Sequence, residues 1–313
     1  MKRFWITIIL FFIPILIGMC ILEIGMRSVP NDYKFKKVWL DKNASRMHIW
    51  ILGSSHEVYG ISPKYFSKCA FNSAHVSQPL KYDAFIFNKY IDYADSLEWV
   101  IVPISYFSLL YNIEDGIEDW REKNYCIYYD CPYHRFNPLF RSEVLGNPLP
   151  IVRQYQRVRS YWREGKDDVN CDSLGFDLSY AKENREEWYM NGEKRAQMHT
   201  ADISEHQQTI RNNIRYVEDI ITTCAAKNVD VLLLTTPTCY TYYNNVDSLQ
   251  YDLMLRTCEK LDSSYANVHY LNLFQDSRFV LEDFFDGDHL VIEGAAKLTH
   301  ILDDYISNKQ YDH

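Results

Sequence analysis

The 313-residue chain contains no HxH or HExxH motif and no paired-carboxylate set, which makes a metal-dependent enzyme a distant reading. It has no basic stripe either. Its 33 Lys and Arg against 42 Asp and Glu leave a net charge of −9, which argues against a nucleic-acid footprint. Internal repeats and low-complexity tracts are absent, and 47% hydrophobic with 24% charged residues is far from a disordered composition. No CxxC knuckle occurs: Cys126 and Cys131 stand five apart, so with His134 they make a poor zinc set. As a pair they could close a small disulfide in an oxidising compartment. Of the eight cysteines, Cys20 lies in the apolar N-terminal run, leaving an odd seven, and buried thiols such as Cys224 and Cys258 fit the role of small apolar groups. Aromatics are plentiful at 15%, with 25 Tyr and 16 Phe, a supply that suits sugar-like polar ligands as well as the edge of a core.

Lys2 and Arg3 precede FWITIILFFIPILIGMCIL (4–22), apolar except for Thr7. That length spans a hydrocarbon layer of about 30 Å as a helix, and Pro14 and Gly18 are tolerated in such spans. The residues that follow, 23–27, are a poor cleavage site, so residues 1–27 read as an uncleaved anchor and 28–46 as a tether. The N-terminal charges favour a cytoplasmic start, with the bulk of the chain outside the cytoplasm; Arg27, Lys34, Lys36 and Lys37 beyond the run pull the other way.

Beyond the tether, apolar strands are expected at 47–53, 69–72, 99–104, 229–237 and 268–274. Helices are expected between them: one opening at Pro79 with the stripe Leu80, Ala84, Phe87, Ile91 and Ala94, one on Ile210 to Cys224, one at 249–261 and a last one on Ile292 to Tyr305. VDVLLLTTP is continuously apolar, as a parallel strand covered on both faces should be. The pattern predicts an α/β domain over 47–313, a parallel sheet with helices on both faces. It breaks at about 111–205, where a stretch rich in Tyr, Trp, Arg and Glu reads as a mainly helical insertion over a functional face.

Ligands in such sheets meet the C-terminal ends of the strands. ILGSSHEVYG (51–60) places Ser54 and Ser55 at one such end, on a glycine turn. A serine nucleophile needs a base, a group to orient that base and donors for an oxyanion. Of the ten histidines, His289 alone lies in a strand-end loop just before the last helix, in FFDGDHLVIEGA. Asp286 precedes it by three residues, so a tight turn brings the carboxylate to Nδ1 and leaves Nε2 free. Asp288 is adjacent to the histidine and points elsewhere, and Asp283 is a weaker rival. Taken alone, DGDH is an N-terminal helix cap. His56 and His75 flank the pocket without an identifiable partner, and Asp172-Ser173-Leu174, in the insertion, reads as a turn.

Gly53-Ser54-Ser55, the block 72–78 (NSAHVSQ) and Asp286-x-x-His289, in that order, resemble the SGNH (GDSL-like) hydrolase superfamily over roughly 47–110 and 201–307. The resemblance implies a flavodoxin-like three-layer fold with the nucleophile at Ser55 and Ser54 in the place of the family's aspartate. It implies His289 and Asp286 as base and orienting acid, and backbone N–H groups of Ser55 and Ser77 as oxyanion donors, Ser77 standing where the family has glycine. The third block departs from the family: 102–110 (VPISYFSLL) holds no asparagine, and Ser105 is the candidate substitute. Loss of one such donor costs about a hundred- to a thousand-fold in rate. The start of the domain looks like the membrane-anchored branch that includes proteins of alginate O-acetylation and teichoic acid D-alanylation. Together these imply an anchored serine esterase or acyltransferase acting on O-acyl groups of an extracytoplasmic glycan, without cofactor or metal. Its partners would be an O-acylated carbohydrate or acyl donor, the bilayer through residues 4–22 and a membrane acyl-transfer protein. The competing expectation is a non-catalytic, anchored glycan-binding or scaffold subunit.

Overall fold

The computed structural model describes residues 1–185 and 192–311; residues 186–191, inside the aromatic insertion, lie outside the described residues. The chain divides into two compact units, Met1–Lys37 with Glu114–Val169, and Val38–Ile113 with the chain from Asn170 onward.

In the first unit, α1 (Lys2–Ser28) is long and apolar enough to cross a membrane, the one such helix among the described residues. The region read as a tether is itself helical in part, α2 (Asp32–Asn43), which runs across the boundary of the two units. Two helices of the insertion, α5 (Glu122–Tyr128) and α6 (Ile151–Glu164), also belong to the first unit. The insertion is therefore divided, since its remainder from Asn170 falls in the second unit.

The second unit is an α/β sheet. Its strands are β1 (Ile49–Ile51), β2 (Ala70–Asn72), β3 (Trp99–Pro103), β4 (Asp230–Thr235) and β5 (Val268–Asn272). They pair in the order β2-β1-β3-β4-β5, all parallel, the doubly wound order in which ligands meet the C-terminal edge where the winding reverses, beside β1 and β3. Each strand falls inside its expected stretch. Gly53 (φ 124°) stops β1, and Pro103, which lacks an N–H, stands last in β3.

The sheet carries helices on both faces. Side chains alternate along β1: Ile49 and Ile51 join Leu298, Leu302 and Ile306 of α11 (Ile292–Tyr311), while Trp50 packs against Phe87 of α4 (Leu80–Tyr90). The remaining helices of this unit are α3 (Ser55–Gly60), α7 (Gly192–His199), α8 (Gln207–Ala226), α9 (Tyr240–Tyr243) and α10 (Ser248–Ser264). Pro79 is the N-cap of α4 rather than its first residue, and α4 ends at Tyr90. A single 3-10 turn, Ile91–Tyr93, then carries the expected apolar stripe on, and Ile91 and Ala94 stay buried.

Candidate active site

The turn after β1 is built around one glycine. A Cβ on Gly53 would collide with the Pro103 ring and the Glu57 carboxyl, and its φ of 124° disfavours any L side chain. Its N–H donates to Asp83 Oδ1 at 2.7 Å, and the Ser54 N–H donates to Glu57 Oε2 at 2.8 Å, half of a capping box that starts α3. Both carboxyls are wholly buried. Burial pushes Glu57 up to about 8 and Asp83 up to about 7, against the hydrogen bonds that favour their charged forms. Ser54 thus shapes the turn. Ser55, the first residue of α3, is half-buried and directs Oγ toward His289.

The second block lies against this turn. Ser73 N–H donates to Ile51 O at 2.9 Å and His75 N–H to Gly53 O at 3.2 Å. Asn72 Nδ2 donates to Glu57 O and Ile61 O at 2.7 and 2.9 Å, tying down the end of α3. Ser77 adopts φ 58°, the left-handed region that glycine occupies without cost, which gives a physical reason for glycine at the equivalent place in the family it resembles. The Asp172-Ser173-Leu174 stretch is a turn: Asp172 Oδ1 accepts from Leu174 N–H at 2.8 Å, and Leu174 O accepts from Asn72 N–H at 3.0 Å.

The loop between β5 and α11 closes the site. Asp286 Oδ1 accepts from the N–H groups of Asp288 (3.1 Å) and His289 (2.8 Å), which folds D-x-x-H into a tight turn. The same turn sets Asp286 Oδ2 at 2.9 Å from His289 Nδ1. On the other side of the ring, Nε2 lies 2.8 Å from Ser55 Oγ. Burial pulls the His289 pKa down, but the charges of Asp286 and Asp288 and the Asp286 hydrogen bond outweigh it, so it lies above the ordinary histidine value. Three stacked rings, Tyr59, Tyr180 and Phe285, form a wall beside the imidazole, with Tyr59 and Tyr180 edge-on to it.

Spacing along the chain does not reveal the charges behind this turn. Asp288 Oδ2 meets His56 Nε2 at 2.9 Å, while its Oδ1 stays 3.6 Å from His289 Nδ1. His56 Nδ1 in turn faces Ser105 Oγ at 2.9 Å. Burial lowers the His56 pKa in spite of Asp288, so the neutral ring places its proton on Nε2 toward the carboxylate and accepts the Ser105 hydroxyl at Nδ1. Ser105, the candidate third oxyanion donor, is thus engaged by His56. Arg195 of α7 pairs with Asp288 through Nε and reaches Asp286 Oδ2 at 3.8 Å through Nη1. His199, one turn on, bonds Tyr242 Oη at 2.8 Å, and burial pushes its pKa down to about 4. The helix fits here because Gly192 and Gly287 touch: a Cβ on Gly287 would lie 2.5 Å from Gly192 Cα. The sequence marks α7 only by its place in an insertion expected over a functional face.

Among the described residues two groups of donors are close enough to share a cation. His56, Asp288 and His289 form one, but Arg195 already supplies the positive charge on Asp288. Glu114, Glu122 and His134 form the other, in the first unit, with Glu122 Oε2 bonded to His134 Nε2 at 2.7 Å.

No family model matches the sequence, and no curated protein matches it. Among solved structures, the chain is similar to a proposed platelet activating factor from Streptococcus pneumonia, at 13% identity and a TM-score of 0.46, over 88% of this chain and 90% of that one. It is also similar to a proposed acylhydrolase from Bacteroides fragilis, at 11% identity and a TM-score of 0.40, over 87% of this chain and 95% of that one.

Proposed function

We propose that this protein is a membrane-anchored serine-dependent acyl-ester enzyme, and the observation that carries the reading is the continuous relay Ser55 Oγ, His289 Nε2, His289 Nδ1, Asp286 Oδ2. Ser55 Oγ attacks the acyl carbonyl while His289 Nε2 takes its proton, and Asp286 holds the ring and stabilises the imidazolium. The N–H groups of Ser55 and Ser77 serve the oxyanion. His289 returns the proton to the leaving alcohol, giving an acyl-Ser55 ester. Water or a second hydroxyl, deprotonated by the same Nε2, then attacks that ester, releases the acyl group and restores the Ser55 hydroxyl.

The tyrosine-rich wall suits a sugar ring, and the apolar α1 suits attachment to a bilayer. The substrate in this reading is an O-acylated glycan outside the cytoplasm, with a membrane acyl-transfer protein as partner. A fluorophosphonate probe tests the serine directly: the wild type labels and Ser55→Ala does not. Incubation with an activated acetyl ester, with and without an oligosaccharide acceptor, separates the two outcomes. Acceptor-dependent product supports transfer, and equal acetate release in both arms means hydrolysis.

The engagement of Ser105 by His56 favours a second reading, a non-catalytic anchored scaffold that keeps the fold without a side-chain oxyanion donor. A folded wild type that no fluorophosphonate labels would establish that reading over the first.

A further inference from the structure

The first unit has an apolar surface beyond the anchor helix itself. On α6, Ile151, Val152, Tyr155 and Trp162 are each more than half exposed. At 100° per residue, Ile151, Tyr155 and Trp162 fall within about 40° of one another, with Arg159 and Arg163 beside them. A solvated helix does not ordinarily present such a stripe. Apolar and aromatic residues flanked by arginines are the pattern of a helix lying in a lipid interface.

Contacts with α1 fix the level of α6. Gly25 admits Val158: a Cβ there would stand 2.8 Å from Val158 Cγ1. Glu23 accepts from Ser142 Oγ at 2.7 Å and from the N–H groups of Glu143 and Val144 at 3.1 and 3.0 Å, which pins the segment leading into α6. Trp162 Nε1 donates to Ser28 Oγ at 3.2 Å. All three attachments fall on Glu23 to Ser28, just past the apolar run 4–22. At 1.5 Å per residue that is within about 9 Å of its end, the depth of a headgroup layer.

We infer that α6 is an interfacial helix, docked on the headgroup layer of the same bilayer that α1 enters, with Ile151, Val152, Tyr155 and Trp162 in the acyl boundary and Arg159 and Arg163 on lipid phosphates. Tryptophan and tyrosine suit that level because one end of each ring is apolar and the other polar. The inference rests on α1 being a membrane span. The anchor and α6 then form one collar, which restrains how the first unit can tilt on the membrane.

The full chain, in vesicles of equal phosphatidylcholine and phosphatidylglycerol, carries p-benzoyl-phenylalanine in place of Val152, Tyr155, Leu16 or Asp167, and irradiated peptides are weighed. The expected result is a one-phospholipid mass shift at 152, 155 and 16, and none at 167. Lipid at 16 but not at 152 or 155 overturns the inference and leaves the anchor intact. No lipid at 16 overturns the anchor, and this inference with it. A crosslink between two copies through 155 also overturns it and makes the face a self-association surface.

Discussion

His289 Nε2 lies 2.8 Å from Ser55 Oγ across 234 residues of chain, and Asp286 holds the far side of the same ring at 2.9 Å. The first consequence is a steep loss on either side of that contact. Ser55→Ala and His289→Ala should abolish fluorophosphonate labelling, and Asp286→Asn, which presents an amide to Nδ1, should lower it by about 10⁴-fold as in comparable triads. Labelling rates decide it, with circular dichroism as the check that each variant is folded.

Acid should switch the site off. In the proposed mechanism neutral His289 is the base, and its pKa lies above the ordinary histidine value, so labelling falls as pH drops through that raised value. Arg195 opposes the two carboxylates. Removing its charge in Arg195→Gln raises the His289 pKa further and moves the acid limb to higher pH, while Arg195→Lys keeps it near the wild-type position. A limb that stays in place in Arg195→Gln would show that the guanidinium serves packing alone.

The buried carboxyls under the Gly53-Ser54 turn make a stability prediction of definite sign. Their folded pKa values, about 8 for Glu57 and about 7 for Asp83, lie above the unfolded ones. The folded state therefore binds more protons, and this contribution is present below pH 4 and lost as pH rises through 7 to 8. Glu57→Gln keeps an acceptor for the Ser54 N–H but cannot ionise. Its Tm relative to wild type should climb between pH 5 and pH 9; a constant difference would remove Glu57 from the linkage.

Two positions with positive φ should respond unequally. Gly53→Ala meets the Pro103 ring and the Glu57 carboxyl in a conformation that disfavours alanine, with an expected loss of about 2–4 kcal/mol by denaturant unfolding. Ser77→Gly relieves a left-handed serine but gains freedom when unfolded, so its stability stays within about 1 kcal/mol of wild type. Its labelling should persist, because the role proposed for residue 77 falls on its N–H alone. Loss of labelling in Ser77→Gly would assign a role to the hydroxyl.

What the sequence determines here is local or periodic. Five apolar stretches bounded by Gly, Pro and polar turns are enough to place β1 to β5, because a strand buried on both faces is written as a continuous apolar run. Asp286 and His289 are legible as a pair because three residues are one turn, and the glycine before Ser54 and Ser55 marks a strand end. The pairing of Asp288 with His56 spans 232 residues and that with Arg195 spans 93, and neither leaves a spacing to read. Gly192 against Gly287 is equally silent, since a glycine does not announce what will approach it. Only the tertiary structure decides these partners. Once the fold buries Asp288, its charge has to be matched by whatever donors the packing brings near, here a histidine from α3 and an arginine from the insertion.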